Sequence, residues 1–283
     1  MPTPTYSDIL AFSQQVQQVS NEAANAFLVA AREVDFTDWT RAAEMLRQIV
    51  ESIVDYYGLA TSELGAQWYE YCRGLSVGGD YTATVQVPNT ASAVAAANRE
   101  IDKLFDGKVD TNKLVSLLHD VVTDQVYSQS RDIIIVNILD DDVGGDKNGY
   151  ARVPVGDTCA FCIMLASRGF VYASKRSATY TKEGEKYHPN CNCVAVPFHK
   201  AQSIPGYQDI LDKYDKMYRD ADNARRSGDI PDELKTHIRE TKKEHNAKHE
   251  AYLRGELPNG PREPWRSFNE ITMIMRWQNE GLH

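Results

Sequence analysis

No stretch of this 283-residue chain approaches the roughly 18 consecutive apolar residues that a membrane-spanning helix requires. That excludes a helical span, and no membrane partner is expected. The start, Met1-Pro-Thr-Pro-Thr-Tyr-Ser-Asp8, has neither the basic cap nor the apolar run of a signal peptide. The chain is therefore expected to be made in, and first to act in, a reducing cytoplasm, where clustered thiols favour metal over disulfide. Basic residues are scarce early on: residues 1–150 hold 10 Lys/Arg against 22 Asp/Glu. Affinity for phosphates comes mostly from Lys and Arg, so this region is not expected to bind nucleic acid directly. No internal repeat and no low-complexity tract is present, which excludes a solenoid or a disordered linker protein. Cysteine is scarce too: there are five, and four of them lie between Cys159 and Cys193.

That clustering is the most informative positive feature. Cys159-Ala-Phe-Cys162 is a C-x-x-C turn that points two sulfurs into one pocket. His188-Pro-Asn-Cys191-Asn-Cys193 then offers an imidazole and two thiolates from a second short segment. Together they suit a closed tetrahedral zinc site, built from four thiolates or from three thiolates and one imidazole. Residues 163–187 separate the halves, a loop longer than the usual two-knuckle spacing. Five donors compete for four places; the favoured set is Cys159, Cys162 and two of His188, Cys191 and Cys193. Disulfides, or a redox-active C-x-x-C beside unrelated thiols, are the alternatives. Cys72 stands on an apolar stripe with Leu64, Trp68 and Tyr71, which reads as a buried small hydrophobe rather than a nucleophile.

The remainder reads mostly as helix. Leu46, Ile49, Val50, Ile53, Val54 and Tyr57 recur at 3.6-residue spacing, as do Leu114, Leu117, Leu118, Val121, Val122 and Val126. Both are packing stripes, and Ile9, Phe12, Val16, Val19, Ala23 and Phe27 form a third. Ile133 to Val136 is β-branched and leaves helix and strand open. Asp140-Asp141-Asp142 reads as an acidic helix end or solvated loop rather than a metal site, because adjacent carboxylates converge on one ion only through a sharp turn. The Gly-rich run 144–149 is the strongest boundary. Short strands and turns are expected around Val153-Pro154, Val171-Tyr172 and Val194-Ala-Val196-Pro197, with a short helix from Phe161 to Ser167. Arg152, Arg168, Lys175, Arg176, Lys182 and Lys186 make this central segment mildly basic, which reads as a solvated mixed-charge surface. Helix returns from Tyr207 to about Arg226 and restarts at Pro231-Asp232-Glu233, where proline and carboxylates suit a first turn. His245 and His249 stand at i and i+4, yet no H-E-x-x-H surrounds them, so a solvated polar helix is expected there.

The run Arg152-Val-Pro-Val-Gly-Asp-Thr-Cys159-Ala-Phe-Cys162-Ile-Met-Leu-Ala-Ser-Arg-Gly169, with Tyr187-His-Pro-Asn-Cys191-Asn-Cys193, resembles the head-morphogenesis family of tailed phages typified by the Mu F protein. It is closest to the version in phages of actinobacteria, and the H-P-x-C-x-C ending is that family's most recognisable feature. The likeness covers roughly residues 150–198. It implies a minor capsid protein acting near the portal, in procapsid assembly or genome delivery, found in the host cytoplasm during assembly and then inside the virion head. Implied partners are the portal protein and an inner capsid or scaffold protein. Proteins of this kind are also labelled capsid maturation proteases. Ser167, His188 and Asp157 could be assembled into a serine-protease set on paper, but the chain reads as lacking a G-x-S-x-G or similar elbow, and a sulfur-rich zinc site is closed and structural. A cysteine enzyme would have to spare a clustered thiol for His188 or His199.

The expected fold is α+β and mostly helical: a helical N-terminal region over 1–145, a small zinc-stapled α/β segment over 146–200 carrying the Mu F-like Cys/His motif, and C-terminal helices over 201–283. Zinc is expected to be structural, with no chemistry at the metal.

Overall fold

The computed structural model describes residues 3–105, 110–143, 149–156, 158–167, 191–199, 203–257, 260–261 and 264–279. Contacts divide the chain into two units, residues 1–155 with 170–207, and residues 156–169 with 208–283. The fold is α+β and mostly helical.

The first unit is built on four helices, α1 (Tyr6–Ala31), α2 (Trp39–Ser76), α3 (Thr90–Phe105) and α4 (Thr111–Asp140). Local chemistry sets their starts. Thr5 and Asp8 form a reciprocal capping box on α1, while Asp38 and Asp110 accept from the backbone N–H three residues on and so cap α2 and α4. The stripes on α2 and α4 face each other: Leu46, Val50 and Val54 are fully buried with Leu118, Val122 and Val126, and Phe27 joins them from α1. Alanines on α3, Ala93 and Ala97, let that helix lie close on the same core. Gly65 marks the tightest crossing of α2 with α4, where a Cβ would stand 2.4 Å from the Ile133 side chain and 2.5 Å from the Ser130 carbonyl. Ile133 to Val136, ambiguous as sequence, continues α4 as helix because Ile133, Ile134, Ile135 and Ile138 are all in the core.

Between α2 and α3 the chain is extended and is held by side chains. The Asn137 amide bonds the Thr84 backbone on both sides, accepting from its N–H (2.8 Å) and donating to its carbonyl (2.9 Å). The Glu70 carboxylate accepts from Ala83 N–H at 2.7 Å.

A two-stranded antiparallel sheet completes the unit, β1 (Gly149–Val153) with β2 (Val194–Phe198), Ala151 facing Val196. Both strands are buried along their whole length, which explains a continuous Val-Ala-Val-Pro-Phe run instead of polar alternation. Trp68 of α2 ties β2 in place by donating to the Ala195 carbonyl at 3.2 Å. Arg152, expected at a solvated surface, is buried on β1 at 6% exposure. The other five basic residues of that expectation, Val171-Tyr172 and the turn residues 144–148 lie outside the described residues.

The second unit holds α5 (Ala160–Ala166), α6 (Gln208–Ser227), α7 (Asp232–Leu253) and α8 (Ser267–Gln278). Helices α5 and α6 pack on α8, with Phe161 set against Phe268 at a ring separation of 6.3 Å. The polar helix α7 is less solvated than its composition suggests. His249 donates through Nδ1 to the Pro261 carbonyl (2.7 Å), Asn246 accepts from Trp265 N–H (2.9 Å), and the His245 ring meets Trp265 edge-on. These residues fasten Pro261 and Trp265 to α7.

Candidate metal centre

The short helix α5 begins at its first knuckle cysteine. Cys159 is the N-cap, in extended conformation, and its Sγ accepts from the Cys162 backbone N–H at 3.4 Å. This is why C-x-x-C works as a turn: the first sulfur satisfies an orphan donor of the helix start, and the second follows one turn later. Cys162 is 3% exposed, whereas Cys159 is only half-buried.

The second pair is fixed from α4. Arg131, 4% exposed, donates from Nε to the Cys193 carbonyl at 2.9 Å and from Nη2 to the Cys191 carbonyl. Its guanidinium lies over the Tyr127 ring, 4.3 Å from the centroid, and the Tyr127 hydroxyl pairs with Ser13 at 3.1 Å. A fork that grips both carbonyls of a C-x-C turn fixes where the two thiols point.

The thiols of Cys162, Cys191 and Cys193 are buried, and their sulfurs all lie within 4.8 Å of one another. In a tetrahedral zinc–thiolate site, bonds of about 2.3 Å place sulfurs about 3.8 Å apart, so a small contraction would suffice. The donor set is soft and all-sulfur, which suits zinc and disfavours magnesium or calcium. This cluster could hold a metal ion. Cys159 is not one of the three, and His188 lies outside the described residues. Arg131 was not legible as a partner, although a charge at i+4 from Tyr127 and three residues before Ile134 on an apolar stripe is the kind of signal that finds one.

A second buried cluster went unnoticed in the sequence, and it carries a motif. Contrary to the expectation from sequence that no such elbow is present, Gly74-Leu-Ser76-Val-Gly78 is a G-x-S-x-G, and Ser76 meets His199, which in turn lies beside Asp141. The Ser76 Oγ is 2.9 Å from His199 Nδ1, and His199 Nε2 is 3.6 Å from Asp141 Oδ2. Tyr69 donates to Asp141 at 2.9 Å, and Arg73 Nε donates to it at 2.6 Å. Burial holds the His199 pKa below its ordinary value, with Arg73 acting in the same direction and Asp141 opposing both. Burial alone would raise the Asp141 pKa; bonds from Val143 N–H, Arg73 and Tyr69 outweigh it and leave the carboxyl low. Desolvation and the neighbouring carboxylate push the Tyr69 phenol up. Asp141, expected at a solvated helix end, is thus a buried ion-pair partner at 4% exposure.

The residue names match a hydrolase triad, but the setting does not. A nucleophile elbow places serine between a strand and a helix N-terminus, with glycines where a side chain would clash. Ser76 is the last residue of a helix, within 3.0 Å of the Cys72 carbonyl, and a Cβ on Gly74 would meet nothing within 4 Å. Ser76, His199 and Asp141 are each no more than 5% exposed. The cluster is a polar clasp joining α2, the end of α4 and the residue after β2. Of the paper set, Ser167 caps α5 and bonds the Met164 carbonyl at 2.9 Å, while Asp157 and His188 lie outside the described residues.

Residues 3–221 match the family model described as VG15 protein. The chain is also 30% identical to the Gene 15 protein of Mycobacterium phage L5, in an alignment covering 29% of this chain and 40% of the relative. The chain thus spans well under half the length of that curated relative. No solved structure matches. With a family model covering most of its length and a relative from a mycobacteriophage, this is a phage protein, and the chain belongs to the VG15 protein family.

Proposed function

We propose that this protein is a minor capsid, head-morphogenesis protein of the Mu F type, acting near the portal in procapsid assembly or genome delivery. The observation that carries the reading is the donor pattern C-x-x-C with H-P-x-C-x-C in a chain of a phage family, three of whose sulfurs are gathered and buried. A structural zinc held by Cys162, Cys191 and Cys193, with Cys159 or His188 as fourth donor, would supply shape rather than chemistry: four protein ligands leave no open position for a substrate. The chain's own residues do the positioning, with Arg131 aiming the C-x-C turn. Portal, inner capsid or scaffold protein are the partners this reading implies, and the head interior is the destination.

Quantitative mass spectrometry of purified procapsids and mature virions tests it. A few copies per particle, lost together with normal head assembly when the gene is deleted, is the expected result. Absence from both particle types sinks the proposal.

A capsid maturation protease is the second reading, and the Ser76–His199–Asp141 trio is the observation that favours it. Its burial and its place at a helix C-terminus count against it. Labelling the folded protein with a fluorophosphonate, which reacts with activated serines, is expected to leave Ser76 unmodified.

A further inference from the structure

Helix α2 is apolar on more than its core face. Met45, Ile49 and Ile53, partly buried, continue outward into Tyr56 and Leu59, which are 74% and 42% exposed. At 100° per residue these positions lie within about 120° of one another, on a stripe distinct from Leu46, Val50 and Val54. Beside it α1 contributes Val29, 62% exposed, and Ala30. Between the two helices is a shallow cavity of about 290 Å³ lined by Ala30, Met45, Gln48, Ile49, Ser52 and Ile53. It shares Gln48 and Ser52 with an adjoining polar cavity of about 500 Å³ that also takes in Glu51, Asp55 and Thr90. The result is an apolar groove with a carboxylate wall on one flank.

Charge selects the occupant. Between Arg47 and Arg73, α2 carries Glu51, Asp55, Glu63 and Glu70 and no Lys or Arg. Arg47 is already bound to Asn98 and Glu44, and Arg73 is buried on Asp141. Glu51 and Asp55 are exposed, with no ion-pair partner among the described residues. An anionic lipid surface or a nucleic acid is repelled by this wall, whereas a cationic apolar partner is drawn to it. We propose that the α1–α2 groove docks an amphipathic helix of a partner protein, with apolar residues at i, i+3/i+4 and i+7 against Ile49, Ile53, Tyr56 and Leu59, and Lys or Arg on the flank facing Glu51 and Asp55. The inference rests on α1 and α2 alone and stands or falls independently of the head-assembly reading.

The probe is a fluorescein-labelled Leu/Lys peptide of helical spacing, titrated with the full chain at physiological salt, with a Leu/Glu counterpart as control. The Leu/Lys peptide is expected to bind and the Leu/Glu peptide not to. Glu51→Lys with Asp55→Lys, and separately Tyr56→Ser with Leu59→Ser, are each expected to weaken binding about tenfold with unchanged thermal melts, since all four residues are surface-exposed. Glu233→Lys with Glu240→Lys, the same charge change on exposed α7 positions, is expected to leave binding within about twofold. The proposal is overturned if that control weakens binding as much as the α2 pair, if the Leu/Glu peptide binds equally, or if neither peptide binds. Sedimentation showing a concentration-dependent dimer that Tyr56→Ser with Leu59→Ser abolishes would assign the groove to a second copy of this chain and overturn it too.

Discussion

Replacing Cys191 and Cys193 by alanine, singly and together, separates a metal-held cluster from three thiols that happen to be packed side by side. Both are buried, at 5% and 2% exposure, so neither substitution is solvated away. If the cluster is packing alone, each change costs about 1 kcal/mol, the usual size of a small core truncation, and the pair costs their sum. If a zinc ion holds it, the scale differs. A structural zinc contributes about 10–16 kcal/mol at neutral pH, comparable with the whole stability of a domain at about 5–15 kcal/mol. The first substitution then forfeits most of that energy and the second has little left to remove, so the costs are strongly sub-additive. The assay is elemental analysis of protein purified without added metal, with denaturant titrations of wild type, both single variants and the double. About one zinc per chain is expected. Cobalt exchange should add the intense near-ultraviolet thiolate band. A fully folded preparation without metal, or additive costs of about 1 kcal/mol each, would refute the reasoning.

Acid should find the polar clasp. The folded pKa of His199 is held below its unfolded value, so between those two values the unfolded chain binds a proton that the native chain refuses. Stability is therefore complete above about pH 6.5 and falls as pH drops below it, at no more than about 1.4 kcal/mol per pH unit from this one group. His199→Gln should flatten that part of the profile, read from urea midpoints between pH 7 and 5; an unchanged slope would remove His199 as its source. Asp141→Asn strands the Arg73 guanidinium, whose side chain is 8% exposed, and should cost about 3–5 kcal/mol by denaturant titration; a loss under about 1 kcal/mol would mean the pair behaves like a surface bridge. Gly65→Ala forces a Cβ to within 2.4 Å of Ile133 and should cost about 1–3 kcal/mol, a result that an unshifted melting temperature would contradict. Ser76→Ala should leave capsid-protein processing at the wild-type level in an infection assay, and loss of a processing band would revive the protease reading.

What could be read from the residues was what repeats or clusters locally. The Leu46–Val54 and Leu114–Val126 stripes declare helices, because burial at 3.6-residue spacing needs no knowledge of the partner, and the run at 194–198 declares a strand. The gathering of Cys162, Cys191 and Cys193 was legible through their spacing and company. The clasp was not: Arg73, Asp141 and His199 come from three separated places, and each looks alone like an ordinary polar surface residue. Long-range charge pairing leaves no periodicity, and the one local hint, the G-x-S-x-G around Ser76, suggests a strand-to-helix elbow, whereas Ser76 is the last residue of a helix. Arg131 failed to show for a related reason, since its partners are backbone carbonyls, and carbonyls carry no residue name. The outward stripe on α2 was half legible: Ile49 and Ile53 read as core by spacing, and they are only partly buried against it.

The late position of β2 has a consequence in time. During synthesis at about 5–20 residues per second, residue 199 leaves the ribosome about 3–12 s after residue 141. Throughout that interval α1 to α4 can assemble, but Trp68 has no Ala195 carbonyl to donate to, Arg131 has no C-x-C turn to grip, and Tyr69, Ser76 and Asp141 have no His199. The nascent bundle therefore waits with an open side, lined by a buried-type ion pair and the aromatic rings that β2 will cover. A translational pause placed before residue 199 would lengthen that exposure, and the open side is where a nascent-chain chaperone would be expected to sit.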